Sequence, residues 1–323
     1  MSVKLYPLKF QPILKERIWG GKKLNSILGK DSHLDTIGES WELSDVEGDI
    51  SNVSNGALKG TSLKELLDIY QEELVGKKNY KVFGNKFPLL IKFIDAREDL
   101  SIQLHPNDQL AAKRHNSFGK TEMWYVMQAE KDAKLIVGFN QKISPKKYLQ
   151  HLEEKSLPEI LNFDSVKRGD TYFIEVGRVH AIGAGVMLAE IQQTSDITYR
   201  VYDWDRVDDQ GKGRELHNDL AIDAINFEME NDFKISYKRT ENQSNNMVEC
   251  PYFTTNFIPL EGKIVKQNEQ DSFIIYMCVE GTAKIEFESN SIEISKGETV
   301  LLPAILKNFS MTSEKADLLE VYV

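Results

Sequence analysis

Cysteine is nearly absent: Cys250 and Cys278 stand far apart in a chain of 323 residues and form no CxxC pattern. That excludes a disulfide scaffold and a thiolate metal knuckle, and it points to a reducing compartment, read here as the cytoplasm. Long hydrophobic runs are also missing. Nothing reaches the ~18 apolar residues of a membrane span, and the N-terminal MSVKLYPLKFQP has no signal-peptide core. Positive charge is in deficit, with 40 Lys and Arg against 50 Asp and Glu and a formal net charge of -10. A nucleic-acid or anionic-membrane partner is therefore not expected. An anionic small molecule stays admissible if one site gathers its own Lys and Arg.

What is present is enough chain for two domains, read mostly as short strands. Ser62-x-x-Glu65 ahead of Leu63, Leu66, Leu67 and Tyr70 predicts a capped helix from Ser62 to about Leu74. Ser144-Pro145 opens a second helix ending near Glu154, and Glu215 to Asn226 has helical spacing. The run Leu89 to Ile94 is too apolar for an edge and predicts a core strand. Lys92 interrupts it at a cost, unless its amine meets a partner, Asp95 or Glu98, or a pocket. Further strands are expected at Thr171 to Ile174, at Val186 to Gln192, and on both sides of a turn at 130–132. The polar stretch KRTENQSNN, Lys238 to Asn246, marks the domain boundary, giving 1–238 and 239–323.

The chemistry concentrates in SIQLHPNDQLAAKRHNSFGKTEMW, Ser101 to Trp124. Residues two apart share a strand face, so Gln103 and His105 project together, as do Lys120 and Glu122. An amide oxygen, an imidazole and a carboxylate make three parts of a mixed N/O site for a divalent metal, and His180 in Gly177-Arg-Val-His180 offers a fourth. Taken alone, Gln103-x-His105 before Pro106 also fits a plain turn. His33, His115, His151 and His217 are expected on loops or helix surfaces, and Trp19, Trp41, Trp124 and Trp204 in the core or on cavity walls.

Two segments echo each other. Lys167-Arg-Gly-Asp-Thr-Tyr-Phe-Ile174 leads to His180, and Ser295-Lys-Gly-Glu-Thr-Val-Leu-Leu302 leads to Asn308. The alignment sets Ser272 opposite Glu122 and Asn308 opposite His180, so one copy holds ligand-type residues and the other has lost them. This pattern resembles the cupin superfamily and implies a mostly β chain of two jelly-roll barrels with a few short helices.

Within that superfamily, Ser101-Ile-Gln-Leu-His-Pro106, Gly119-Lys-Thr-Glu-Met-Trp124, Gly177-Arg-Val-His-Ala181 and Thr198-Tyr-Arg-Val-Tyr-Asp-Trp-Asp-Arg206 resemble class I mannose-6-phosphate isomerase of the short bacterial type. The resemblance covers nearly all of the first 230 residues. It implies one Zn2+ per chain on Gln103, His105, Glu122 and His180, a catalytic Arg200, and Ser101 and Lys120 beside the sugar phosphate. It further implies interconversion of mannose 6-phosphate and fructose 6-phosphate through an enediolate, with Lys120, a carboxylate or zinc-bound water carrying the proton. Two competing readings are a sugar-phosphate-binding double cupin without catalysis and an iron cupin oxygenase. The latter favours two His and a carboxylate with open positions and has no use for a phosphate-binding Lys and Arg.

Overall fold

The computed structural model describes residues 3–34, 36–208, 210–230 and 232–323. In chain order its strands begin with β1 (Ile13–Gly21), β2 (Ile37–Leu43), the short pair β3 (Asp45–Val46) and β4 (Asp49–Ile50), and β5 (Leu89–Asp95). Next come β6 (Ile102–Leu104), β7 (Glu122–Ala129), β8 (Lys134–Phe139), β9 (Leu161–Ser165) and β10 (Thr171–Ile174). Then follow β11 (His180–Ile182), β12 (Val186–Gln193), β13 (Tyr199–Tyr202), β14 (Asn245–Glu249) and β15 (Thr254–Gln267). The last are β16 (Ile274–Phe287), β17 (Asn290–Ser295), β18 (Thr299–Leu302) and β19 (Asn308–Tyr322).

A sheet ordered β1-β2-β5-β12-β7-β10 faces a second ordered β13-β6-β11-β8-β9. The remaining large sheet, β14-β15-β19-β16-β17 with β18 on β16, is built wholly from the last eighty residues and bends back over its own core. The cupin jelly rolls are therefore present as facing or folded sheets, not as continuously hydrogen-bonded barrels.

The first sheet is buried on both faces, which explains the unbroken apolar run in β5. One face, with Trp124, Val126 and Leu188, closes the inner core of the sandwich. The other, with Phe93, Met123, Tyr125 and Ile191, packs on Phe257, Phe273 and Ile275 from the C-terminal sheet. Tyr125 stacks on Phe257 with centroids 5.8 Å apart.

The repeat is visible in matching hydrogen bonds. Gly169 N donates to Val126 O and Gly297 N to Cys278 O, both at 2.8 Å, and both glycines hold φ of +86°. The turn needs that left-handed conformation, which only glycine adopts without cost. The ladders correct one expected correspondence. Ile174 pairs with Glu122, and Leu302, its counterpart, pairs with Ile274. Glu122 thus corresponds to Ile274, two residues beyond Ser272, which lies in the bend before β16.

The helix at Leu63–Tyr70 has its capping box. It stops short of Leu74 because Gln71 turns to φ +47°, which lets Leu74 and Val75 enter the core from a separate turn. The helix at Pro145–Glu153 agrees with expectation. The stretch from Glu215 to Asn226 is helical only at Asn218–Ala221. Its first residues are drawn out along β13, where His217 N donates to Arg200 O at 2.7 Å. The helix at Asp108–His115 was not anticipated, although Asn107 and Asn116 cap it in a legible way.

Candidate active site

Strand ends build the site. His105 follows β6, Glu122 opens β7 and His180 opens β11, so three antiparallel strands deliver them to one rim. Their donor atoms all lie within 4.8 Å of one another, and all three side chains are about 1 % exposed. Each ring is fixed by its second nitrogen: His105 Nδ1 bonds to Ile197 O at 2.9 Å and His180 Nδ1 to Arg178 O at 2.8 Å. A carbonyl can only accept, so both Nδ1 atoms carry the proton and both Nε2 lone pairs point inward. Among the described residues, His180 Nε2 is buried without a hydrogen-bond partner. Buried polar atoms are rarely left in that state unless something else is to occupy the site.

Electrostatics agree with this arrangement. Burial, reinforced by the Lys120 ammonium, pushes His105 down to about 3, and burial also lowers His180. Both imidazoles are thus neutral, the form in which histidine coordinates a metal. Burial opposes the charge of Glu122, but Lys120 beside it outweighs that and keeps the carboxylate well below its usual range. Lys120 Nζ lies 3.2 Å from His105 Nε2 and 3.3 Å from Glu122 Oε2.

A row of cross-strand neighbours joins these groups to the rest of the cleft. Gln103 is directly opposite His180 on one side and Arg200 on the other. Directly opposed residues share a face, so Arg200, Gln103 and His180 line up across the sheet. Ser101 completes the row, with its Oγ 3.4 Å from Gln103 Oε1 and accepting from Arg200 Nε at 3.3 Å. The cleft over this row has a volume of about 390 Å3. The structure therefore brings together every site residue the sequence singled out. Among the described residues, no carboxylate lies within ion-pair distance of Arg200, whose Nη1 donates to Glu215 O at 2.8 Å. The remaining histidines lie outside the cluster: His217 Nδ1 accepts from Arg200 N, and His115 meets Tyr199.

The expected pairing of Lys92 is corrected. Its Nζ is 3.0 Å from Glu190 and 4.0 Å from Glu39, not on Asp95 or Glu98. Asp95 is an odd number of residues away and faces the other side of the strand, where it accepts from Lys23 N. Glu190 also accepts from Trp124 Nε1 at 2.9 Å, and Glu39 accepts from Arg17 at 2.7 Å. This buried network forms the opposite wall of the cleft with Trp41. Burial would suppress the charge on Lys92, but Glu190 and Glu39 keep its ammonium favoured. Burial and the nearby Glu122 raise Glu190. Glu39 and Glu190 escaped sequence reasoning, although a lone acid in the apolar strand Val186 to Gln192 was a legible complement to Lys92.

The fold is a double cupin, with a donor cluster of the kind that could hold a metal in its N-terminal half and a cationic cleft beside it. Residues 7–138 match the family model for the phosphomannose isomerase type I catalytic domain, and residues 243–323 match that for the mannose-6-phosphate isomerase cupin domain. Mannose-6-phosphate isomerase ManA of Bacillus subtilis is 36 % identical over 94 % of this chain and 95 % of its own length. Mannose-6-phosphate isomerase of Streptococcus mutans is 33 % identical over 95 % of this chain and 96 % of its own. The solved structure of the mannose 6-phosphate isomerase from Bacillus subtilis superposes with a TM-score of 0.89 at 30 % identity, covering 98 % of this chain and 99 % of that one. The chain belongs to the type I mannose-6-phosphate isomerase family.

Proposed function

We propose that this chain interconverts mannose 6-phosphate and fructose 6-phosphate, with one zinc ion held by His105, Glu122, His180 and Gln103. The observation that carries the reading is the buried His105, Glu122 and His180 cluster, with both Nε2 atoms aimed inward and that of His180 left without a hydrogen-bond partner. Two neutral imidazoles, a carboxylate and an amide oxygen suit zinc in a mixed N/O set. Bound there, zinc would supply Lewis acidity to the carbonyl and hydroxyl oxygens of the open-chain sugar.

The chain's own groups do the rest. With its amine deprotonated, Lys120, beside the cluster, takes the proton from C2 of the aldose and returns it to C1, while the hydroxyl proton passes from O2 to O1, which leaves the carbonyl at C2. The Arg200 guanidinium, free of a carboxylate, donates to the oxyanion of the enediolate between those steps and cannot lose its own proton. Ser101 Oγ holds Arg200 Nε and places that donor. Trp41 and Trp124 wall the cleft and limit the water that competes for the enediolate.

A coupled assay on mannose 6-phosphate, run with and without a chelator and with metal analysis of the untreated protein, tests this. Turnover that the chelator abolishes and zinc restores is the expected outcome. Binding of the sugar without turnover would leave a non-catalytic double cupin, and iron in place of zinc would reopen the oxygenase reading.

A further inference from the structure

The cleft is crowded with positive charge, and nearly all of it is spoken for. Lys15 is paired with Asp49, Arg17 with Glu39, Lys92 with Glu190 and Lys120 with Glu122. Arg200 has no carboxylate among the described residues. One more cation lines the same cleft: Arg214, between Gly213 and the stretch that opens at Glu215. Its Nε donates to Asp203 Oδ2 at 2.7 Å and its Nη2 to Asp203 Oδ1 at 2.5 Å, and Nη1 has no hydrogen-bond acceptor among the described residues. Asp203 is 5 % exposed and also accepts from Arg206 Nη2 at 2.5 Å. One carboxylate therefore answers two guanidiniums.

Within ion-pair distance, the Asp203, Arg206 and Arg214 group keeps one positive charge in excess and Arg200 has no carboxylate among the described residues, with Asp196 on the cleft wall and Glu215 acting on Arg200 from farther away. A phosphate monoester carries about -1.5 to -2 at neutral pH and presents three acceptor oxygens, which a fork of N–H donors matches. At the other end of the row, the positive charge of Lys120 is already met by Glu122. Arg200 lies close enough to Arg214 for that guanidinium to lower its proton affinity, after burial itself. Two like charges held together in this way await an anion.

Resting on the isomerase reading above, we infer that Arg214 is a phosphate-binding guanidinium, that Asp203 is the positioning residue that holds it, and that the phosphate sits at the Arg214 end of the cleft, with Arg200 between it and the reacting carbons beside His105, Glu122 and His180. The local backbone is built for this. Trp204 and Asp205 both adopt positive φ, +58° and +55°, turning the chain sharply after Asp203. Val207 then bridges to Gly213 in antiparallel fashion, so the hairpin returns Arg214 to the carboxylate it left eleven residues before. Arg206 ties the same turn to the body of the sheet through Asp99 O at 2.8 Å.

The test compares Arg214→Ala, Arg214→Lys and Asp203→Asn with the wild-type enzyme, using mannose 6-phosphate, free mannose and inorganic phosphate as an inhibitor. Arg214→Ala should raise KM for mannose 6-phosphate roughly 10- to 100-fold, as the loss of a charge-assisted bond does, with a smaller fall in kcat. It should weaken inhibition by inorganic phosphate by a similar factor and leave the slow turnover of free mannose unaltered. Arg214→Lys should recover part of the loss, and Asp203→Asn should show the same KM-weighted defect. Arg214 is partly exposed, so its variant stays informative if Asp203→Asn does not fold. Lys212→Ala, a charge removed from the exposed hairpin tip, should change neither constant, which separates a specific contact from a general loss of charge. If the wild type turns over mannose 6-phosphate and Arg214→Ala keeps its KM and its phosphate inhibition, the inference fails while the isomerase reading stands. A fall in kcat alone would also overturn it. A wild type with no turnover at all would remove the isomerase reading instead.

Discussion

At the scale of single residues, geometry separates two lysines that look alike in the sequence. Lys92 is locked between Glu190 and Glu39, whereas Lys120 touches two of the three clustered side chains. Lys120→Ala should therefore depress kcat by two orders of magnitude or more while KM moves little, since it removes the proton carrier and not the phosphate contact. A KM-dominated defect would return Lys120 to phosphate recognition. Arg200 makes a separable claim. It contacts none of the three clustered side chains, so Arg200→Ala should fold and keep its metal, yet lose turnover by about 100- to 1000-fold, as removing an oxyanion donor does. Arg200→Lys should rescue only part, because an ammonium lacks the planar fork. Near-normal turnover in a folded, metal-replete Arg200→Ala would take this residue out of the mechanism.

At the scale of elements, the two halves repeat more than a turn. In the first, Glu190 on β12 lies opposite Lys92 on β5 and Trp124 on β7, and both side chains donate to it. In the second, Glu320 on β19 lies opposite Asn256 on β15 and Tyr276 on β16, and both again donate to it, at 3.0 and 2.7 Å. Lys266 supplies the missing cation from further along β15, at 2.7 Å. The C-terminal copy has thus kept the buried carboxylate and closed it with internal partners. Burial opposes the charge of Glu320, but Lys266 overcomes this and holds it below the ordinary range. A depressed carboxylate stabilises the fold above its unfolded pKa of about 4.3, and that contribution is lost as pH falls through the folded value. Glu320→Gln should then cost about 1–3 kcal/mol at pH 7 in a denaturant titration, the worth of a charged hydrogen-bond partner. The gap to the wild type should close below about pH 4. A gap independent of pH would show that packing, not charge, holds this strand.

At the scale of the whole molecule, only the N-terminal half presents a donor cluster among the described residues. Its C-terminal counterparts are Ile274, which is buried and apolar, and Asn308, which is exposed. Metal analysis should find one tightly bound ion per chain, lost together with turnover in His105→Ala or His180→Ala. Two ions per chain would contradict the asymmetry. The apolar layer shared by the two halves gives a further expectation. Phe257 is about 1 % exposed and stacks on Tyr125 across that layer. Phe257→Ala should cost about 3–5 kcal/mol. Because the lost contact belongs to both halves, thermal unfolding of wild type and variant should each remain a single transition. Two separated transitions in the wild type would mean that the halves fold independently.

Much of this was legible along the chain because the signals are local. Period-two spacing placed Ser101 with Gln103 and His105, and Lys120 with Glu122; the Ser62 and Ser144 caps began their helices; and the repeated Lys/Arg-Gly-acid-Thr turn revealed the duplication. What local pattern cannot carry is which strands meet. The register of β12 on β5 joined Lys92 to Glu190, and the β7–β10 and β16–β18 ladders shifted the counterpart of Glu122 to Ile274. A sharp turn after Asp203 brought Arg214 into a cleft that its own neighbourhood gives no hint of. Residues 215–217 likewise lack the helix their spacing favours: His217 N donates to Arg200 O and the His217 ring accepts from Arg200 N instead. Side-chain spacing within a strand is set by covalent geometry, so the sequence determines it. Partners across strands are set by burial and hydrogen bonding over the entire chain, and only the tertiary structure decides them.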